Sequence, residues 1–313
     1  MTKIAITGCA GFVGSWIAEK ALAADYEVVG IDNLASKVNY TPLGVEFHEL
    51  DLVNDNISEF VKDVNVVIHA ASYAEIRHNW ENRSERKRLF DNNEMATINF
   101  LEQIPDVPII YLSSASIYGS LSKDNNTVLY EKDGNSNSIE SPYAASKLAC
   151  EAYVSAYAFK RKVPFFNLRL VNQVGARIHR GVIVDFCKMA NNNRHIHAAD
   201  NGKQRKNWIA VEDTADIICN LIKNKNEIPS GIYTIASAER WSWHDIVYVM
   251  REMYKETHDD EPFTLTYKDC VGGAIGDPVN LNLSNEKIAA YFSKFRPVKN
   301  YVRSALNHIG WGK

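Results

Sequence analysis

The sequence predicts an α/β fold, a doubly wound parallel sheet with a smaller α/β lobe behind it. Three observations carry this. Lys3–Thr7 is a short apolar run of the kind that forms a fully buried parallel strand. Gly8, Gly11 and Gly14 follow at three-residue spacing, and Trp16, Ile17, Ala18 and Leu22 then continue with helical spacing. Apolar runs of strand length keep alternating with helical segments as far as about residue 170, after which the alternation loosens.

A strand, a glycine loop and a helix start in that order make an anion site. The loop's backbone can approach a pyrophosphate closely, and the helix's free N–H groups and positive dipole end point at it. The spacing is G-x-x-G-x-x-G rather than the common G-x-G-x-x-G. Its place after an N-terminal strand marks a Rossmann-type, dinucleotide-binding unit.

The second strand, Glu27–Asp32, ends in an acid eighteen residues beyond Gly14, where such a fold puts the carboxylate that binds the adenosine ribose hydroxyls. A carboxylate there repels a 2′-phosphate, so the predicted cofactor is NAD and not NADP. Residues 45–51 alternate and read as the third strand, with Asp51 and Leu52 at its end. Residues 64–69 form the fourth and run into Ala70, Ala71 and Ser72, small residues that let backbone lie against a flat ligand. His69, ending an apolar run, reads as a satisfied core histidine. The basic stretch 77–88 reads as a solvated helix face or loop.

Residues 90–101 look helical, and residues 107–112 form a fifth strand that delivers Ser113 and Ser114 to its C-terminal end. Open parallel sheets bind ligands at those ends. Residues 120–140 read as a polar surface loop that could reach over a substrate. Ser141 is a good N-cap, Pro142 suits the first helical position, and Tyr143 falls in the first turn with Lys147 four residues on, on the same face. Residues 163–170 read as a sixth strand, with Asn172 just beyond it. Later elements are a helix over 213–222, a strand over 231–236, and a helix over 244–254 announced by a capping box of Ser242 and Asp245. A strand over 263–267 and a last amphipathic helix over 285–292 complete the reading. Residues 1–175, with about 206–238 returning, form the predicted NAD-binding domain. About 176–205 and 239–313 form a substrate-binding lobe.

Composition narrows the function. A chain of 313 residues with 46% hydrophobic and 23% charged residues is an ordinary globular protein. A net charge of −3 gives no electrostatic case for nucleic acid or an anionic membrane. Five cysteines without C-x-x-C spacing suggest reduced thiols in a cytoplasmic protein and no metal site. No apolar run reaches transmembrane length.

Tyr143 and Lys147 carry the chemistry. A free tyrosine, with a pKa of about 10, is a poor base at neutral pH. A lysine ammonium one turn away, the positive helix end and an oxidised nicotinamide would each stabilise the phenolate. Lowering the pKa by about 3 units needs about 4 kcal/mol, within reach of those charges in a partly desolvated cleft. The phenolate could then take a proton from a substrate hydroxyl while the adjacent carbon gives hydride to NAD, with Ser114 holding the oxygen.

The chain resembles an extended short-chain dehydrogenase/reductase of the NAD-dependent epimerase/dehydratase type. The resemblance rests on TGCAGFVG over 7–14, Asp32-Asn33-Leu34, Asp51-Leu52, HAAS over 69–72, SSASIYG over 113–119 and YAASK over 143–147. RLVNQVG over 169–175 and Val211-Glu212-Asp213 extend it over nearly the whole chain. It implies a Ser-Tyr-Lys catalytic set of Ser114, Tyr143 and Lys147. It implies NAD contacts from Gly8, Gly11, Phe12, Val13, Gly14, Asp32, Asn33, Asp51, Leu52, Ala70, Ala71, Ser72, the helix asparagine Asn93, Tyr143 and Lys147. Substrate contacts are implied for Ser114, Ser116 and Asn172.

Asp-Asn-Leu after the second strand and Ser-Ala-Ser-Ile-Tyr-Gly after the fifth resemble nucleotide-sugar 4-epimerases, which implies a UDP-sugar substrate and a homodimer. Related dehydratases carry Asp-Glu after the catalytic hydroxyl residue, where this chain has Ala115 and Ser116. The arginine that usually grips the diphosphate aligns with Lys206, beside Arg205, and a second usual arginine is Ala274. Lysine neutralises a phosphate but lacks the planar two-pronged contact. Either Arg177, His179 or Arg180 replaces the missing base, or the substrate is not a UDP-sugar. Two rival readings use the same motifs: a dehydrogenase or reductase with NADH as a true co-substrate, and an NAD-sensing protein with no turnover.

Overall fold

The computed structural model describes residues 2–36, 38–74, 82–121, 126–199, 202–268 and 278–312. Its centre is a seven-stranded sheet. In chain order, β1 (Lys3–Thr7), α1 (Phe12–Ala23), β2 (Glu27–Asp32), β3 (Glu46–Glu49), α2 (Ser58–Val61) and β4 (Val66–His69) build its first half. Then come α3 (Arg83–Phe90), a π-helical turn (Asp91–Met95), α4 (Ala96–Gln103), β5 (Ile109–Ser114), a 3-10 turn (Ala115–Leu121), α5 (Pro142–Arg161) and β6 (Phe165–Leu170). The sheet is closed by β10 (Gly231–Ile235), giving the order β10-β6-β5-β4-β1-β2-β3 with every pairing parallel. The order reverses beside β1, so the glycine loop after β1 opens at the switch point where such sheets bind ligands.

Beyond β6 the chain builds β7 (Asn172–Val174), α6 (Val182–Asn193), β8 (His195–Ala199), β9 (Arg205–Ala210) and α7 (Val211–Lys223) ahead of β10. After it come β11 (Arg240–Ser242), α8 (Trp243–Lys255), β12 (Thr264–Lys268), α9 (Glu286–Ala289) and α10 (Val298–Ile309). Strands β11, β9 and β7 form a small sheet, and β12 pairs with β8. A separate apolar core from Val174 to Trp311 lies under these elements. No helix among the described residues is long and apolar enough to cross a membrane.

Several expectations are corrected. The helix read over 90–101 begins at Arg83 and is interrupted by the π-turn, which inserts one extra residue per turn and is invisible to helical periodicity. The last helix is not at 285–292, where only the single turn α9 forms. It is α10, which buries Val298, Val302, Ala305 and Leu306 at helical spacing. Asn172 lies on a strand of its own, paired with Trp208. Part of the loop read over 120–140 is anchored, since Leu129 is buried and bridges to Leu283. Cys270, Ala274 and residues 77–81 of the basic stretch lie outside the described residues.

Backbone contact at the first turn is tight. Gly8, at φ +68°, has the backbone of Ala70 and Ala71 so close that a Cβ would sit 2.7 Å from the Ala71 nitrogen. A Cβ on Gly14 would lie 2.0 Å from the Gly8 carbonyl oxygen, whereas one on Gly11 would lie 3.3 Å from the same atom. Gly14→Ala should therefore cost more than about 3 kcal/mol or prevent folding, and Gly11→Ala less than about 1 kcal/mol. Thermal melts of the two variants check this difference.

Candidate active site

The C-terminal ends of β1, β4 and β5 converge on the first turn of α5. Helix α5 starts where its chemistry dictates: the Ser141 side chain accepts from Ala144 N at 3.1 Å and Pro142 opens the helix. Tyr143 is thereby fixed in the first turn, 7% exposed, with the hydroxyls of Ser114 and Ser72 close enough to its own to favour the phenolate. Ser114 also accepts from Ser116 N at 3.1 Å. Lys147 is 3% exposed, and its ammonium donates to the Leu112 carbonyl at 2.8 Å over the Tyr111 ring. The structure thus brings Ser114, Tyr143 and Lys147 together, with Ser72 beside them.

The electrostatics differ from the sequence expectation. Burial raises the Tyr143 pKa above its usual value. The Arg180 guanidinium is the largest opposing influence, followed by the Ser114 hydroxyl, and Lys147 is not among the main causes. Burial also lowers Lys147 to about 8, with Cys150 and Glu151 working against the fall. Arg180, at the entrance of α6, donates to the Ala74 carbonyl.

Asn93 sits in the π-turn, 3% exposed. Its Oδ1 accepts from Tyr73 N (2.7 Å) and the Ser72 hydroxyl (3.1 Å), and its Nδ2 donates to Tyr73 O (3.2 Å) and Ser146 Oγ (3.0 Å). Ser146 in turn donates to the Tyr143 carbonyl at 2.8 Å. Asn93 therefore clamps the Ala70–Ser72 segment to the first turns of α5, a function that sequence spacing did not show for Ser146.

His69 is a core residue, as read. It stacks on Phe100, contacts Thr7 through Nδ1 (2.7 Å) and Thr97 through Nε2 (2.9 Å), and burial lowers its pKa to about 3. Thr97 gives its own hydrogen to the Asn93 carbonyl, so Nε2 is the protonated nitrogen and Nδ1 accepts from Thr7. Thr7 Oγ1 accepts from Ala71 N at 3.2 Å. A neutral histidine thus links the edge of the glycine loop to the Asn93 turn.

The residues present fit a dinucleotide. Helix α1 opens at Gly11, with no side-chain cap among the described residues, and Phe12, Val13 and Gly14 form its first turn. Asp32 is 9% exposed and accepts from Ala10 N (3.0 Å) and Leu34 N (2.8 Å), which leaves acceptor positions on both oxygens. Burial raises its pKa, and hydrogen bonds from the Leu34 and Ala10 backbone oppose that rise. Asn33 accepts from Ala35 N. Asp51 is engaged in its own turn, accepting from Val53 N and Asn54, and Leu52 is buried in the core.

The residues assigned to substrate are more dispersed. Ser116 is 5% exposed and its hydroxyl has no partner among the described residues. Arg205 and Lys206, adjacent on β9, point to opposite faces. Lys206 is buried with its ammonium 5.8 Å from the Trp243 ring centroid. Arg205 instead lines a cleft of about 450 Å³ with Lys203, Arg240 and His244, and Arg240 was not foreseen. Arg177 lies between the Trp16 and Tyr40 rings (4.3 and 4.0 Å) and pairs with Glu19, so it braces α1. Ala274 and the late Gly276-Asp277 lie outside the described residues.

Residues 4–236 match the model of the NAD dependent epimerase/dehydratase family. A Methanocaldococcus jannaschii relative, whose name is that of a UDP-glucose 4-epimerase, is 33% identical over 236 residues, covering 72% of this chain and 75% of its own. A dTDP-D-glucose 4,6-dehydratase from Dictyostelium discoideum is 28% identical over 75% of this chain and 58% of its own. The UDP-glucose 4-epimerase of Thermus thermophilus, in complex with NAD, shares the fold, with a TM-score of 0.82 over 99% of both chains at 23% identity.

The buried ammonium has a measurable cost. Lys147 has its pKa lowered in the fold, so the fold binds its proton less well than the unfolded chain does. The penalty is full below about pH 8 and fades as pH rises towards 10.5. It amounts to about 3 kcal/mol at neutral pH, and orphaning the Leu112 carbonyl offsets about 1–3 kcal/mol of it. Lys147→Met should therefore be at least as stable as the wild type at pH 7 in denaturant melts without added NAD. That relative advantage should shrink between pH 8 and 10. A loss well beyond about 1 kcal/mol at pH 7 would contradict the assignment. By its family model the chain belongs to the NAD dependent epimerase/dehydratase family, whose cofactor is NAD.

Proposed function

We propose that the protein is a nucleotide-sugar 4-epimerase that keeps its NAD bound and inverts C-4 reversibly through a 4-keto sugar. The observation that carries this reading is the buried Tyr143 on the first turn of α5, with Lys147 one turn on tied to the end of β5 and the hydroxyls of Ser114 and Ser72 nearby. Bound NAD supplies a reversible hydride acceptor and, when oxidised, a positive charge. Gly8, Gly11, Phe12, Val13 and Gly14 would receive its pyrophosphate. Asp32 and Asn33 would take the adenosine ribose, and Ala70, Ala71 and Ser72 would line its flat face. Asp51 and Leu52 would border the adenine side.

Tyr143 takes the C-4 hydroxyl proton as its base and returns it after the ring has turned over. Ser114 holds the same oxygen through its hydroxyl. Lys147 and Arg180 supply positive charge, which favours the phenolate against its burial. Asn93 keeps Ser72 and Tyr143 in register. Ser116 and Asn172 would contact the sugar. The Arg205 cleft would offer positive charge to the diphosphate, with Arg240 in the place of the base that Ala274 cannot supply, while Lys206 is buried near the Trp243 ring on the other face of β9.

Ala115 and Ser116 bring no carboxyl group to the position where a dehydratase needs its acid and base, which favours epimerisation over loss of water. The basic cleft favours an anionic substrate such as a UDP-sugar. The four described cysteines are free thiols, in keeping with a cytoplasmic enzyme. We assign residues 1–175 and the returning 206–238 to the NAD-binding domain and the remainder to the substrate lobe. A homodimer packed through the α4 and α5 helices completes the proposal.

UDP-, GDP-, CDP- and ADP-sugars incubated with the NAD-loaded protein, and followed by NMR of the ring-proton couplings, test this directly. Interconversion of a C-4 epimer pair without net NADH is the expected result, and Tyr143→Phe should lower kcat by about 10²–10⁴-fold. Steady NADH formation from one substrate would select the dehydrogenase reading. Full NAD occupancy with no turnover of any sugar would select the sensor.

A further inference from the structure

Behind this site lie two charges that the chemistry does not use. Glu151 follows Tyr143 by two turns of α5 and Lys147 by one, so the three side chains share a helix face. Glu151 is 3% exposed and Arg169, on β6, is 1% exposed. The Glu151 Oε1 accepts from Arg169 Nε (2.9 Å) and from the Ser113 hydroxyl (2.5 Å), and its Oε2 accepts from Arg169 Nη2 (2.9 Å). Arg169 Nη1 donates to the Glu131 carbonyl (2.8 Å) and the Tyr118 hydroxyl (3.3 Å). One ion pair therefore reaches α5, the end of β5, the 3-10 turn after Ser114 and the loop before α5. Ser113 stands between Leu112, which takes the Lys147 ammonium, and Ser114.

We propose that Glu151 and Arg169 are positioning residues, fixing helix α5 against the end of β5 so that Tyr143 faces Ser114 and Lys147 reaches the Leu112 carbonyl. The proposal rests on the roles assigned above to those three residues. A buried ion pair is a poor source of stability, because apolar side chains of similar volume often hold a fold as well or better. What apolar packing lacks is direction: the two-pronged guanidinium–carboxylate contact fixes one orientation of helix against strand.

The carboxylate also bears on the lysine. Lys147 faces Cys150 and Glu151 on its own helix, Tyr143 one turn before, the Tyr111 ring on β5, neutral His69 on β4 and Arg180 from the loop before α6. Arg169 on β6 stands behind Glu151. Burial holds the Cys150 thiol protonated, so Glu151 is the negative charge that supports the ammonium.

The test is the paired replacement of Glu151→Gln with Arg169→Met, which leaves neither charge orphaned, beside Glu151→Asp and Tyr143→Phe. All are studied as NAD-loaded protein with UDP-glucose as probe. The paired variant should melt as a cooperative fold and bind NAD as the wild type does. Its kcat should fall by about tenfold or more with KM within about threefold.

Without substrate, tyrosinate absorbance titrated against pH, taken as the difference from Tyr143→Phe, should place the Tyr143 titration at least about half a unit higher, because a displaced first turn of α5 loses its approach to the Ser114 hydroxyl. Glu151→Asp keeps a charged partner for Arg169, and so the orientation of α5, and should restore the titration and part of kcat. A folded paired variant with unchanged kcat would overturn the proposal. An unmoved titration would do so by itself. Loss of melting cooperativity and NAD binding in step with kcat would overturn it too, by showing a role in holding the fold. A fully active Tyr143→Phe would instead sink the active-site reading, leaving the two failures distinguishable.

Discussion

The hydrogen bond from the Lys147 ammonium to the Leu112 carbonyl is the contact on which the rest of the site depends. It places a full positive charge in a nearly dry space between a helix and the sheet, where burial drags the lysine pKa towards neutrality. It also ties the first turns of α5 to the last residues of β5, so Tyr143 and Ser114 reach the same point from different elements. A fold selected only for stability has no reason to keep that charge. The proposed chemistry gives one reason for its presence, since a polarised phenol needs positive charge nearby and little competing water.

The cofactor side is governed by close packing of backbone. Gly8 and Gly14 bring the β1–α1 loop, Ala71 and the helix start so near one another that side chains have no room. The same Ala71 begins a buried relay through Thr7, His69 and Thr97 to the Asn93 carbonyl, and the Asn93 side chain then grips Ser72 and α5 through Ser146. The glycine loop and the tyrosine are thus parts of one hydrogen-bonded body. The π-turn lets Asn93 reach both sides, a common use of such insertions at functional sites.

Much of this was readable in the chain. The glycine spacing after an apolar strand, the acid ending β2 and the Ser141-Pro142 helix start are local signals, and each fixes its neighbourhood without tertiary context. The π-turn was not readable, because apolar spacing looks alike on either side of one inserted residue. The faces of Arg205 and Lys206 depend on β9, which opens on three polar residues and closes on three apolar ones, so it shows no strand alternation to stand out. Glu151 was legible in principle, at i, i+4 and i+8 with Tyr143 and Lys147. Its partner Arg169 comes from a strand whose apolar pattern gives no hint of a buried cation. The final helix α10 follows a proline and shows its spacing only when read from Val298.

The claim that one protein-held tyrosine inverts C-4 while hydride leaves and returns within the same complex can be measured with an isotope. UDP-glucose deuterated at C-4 is turned over in ordinary water with excess unlabelled free NAD. The account predicts that the epimerised product keeps the deuterium at C-4 in full, with none in free NADH. Deuterium lost to solvent, or carried off by free cofactor, would contradict it.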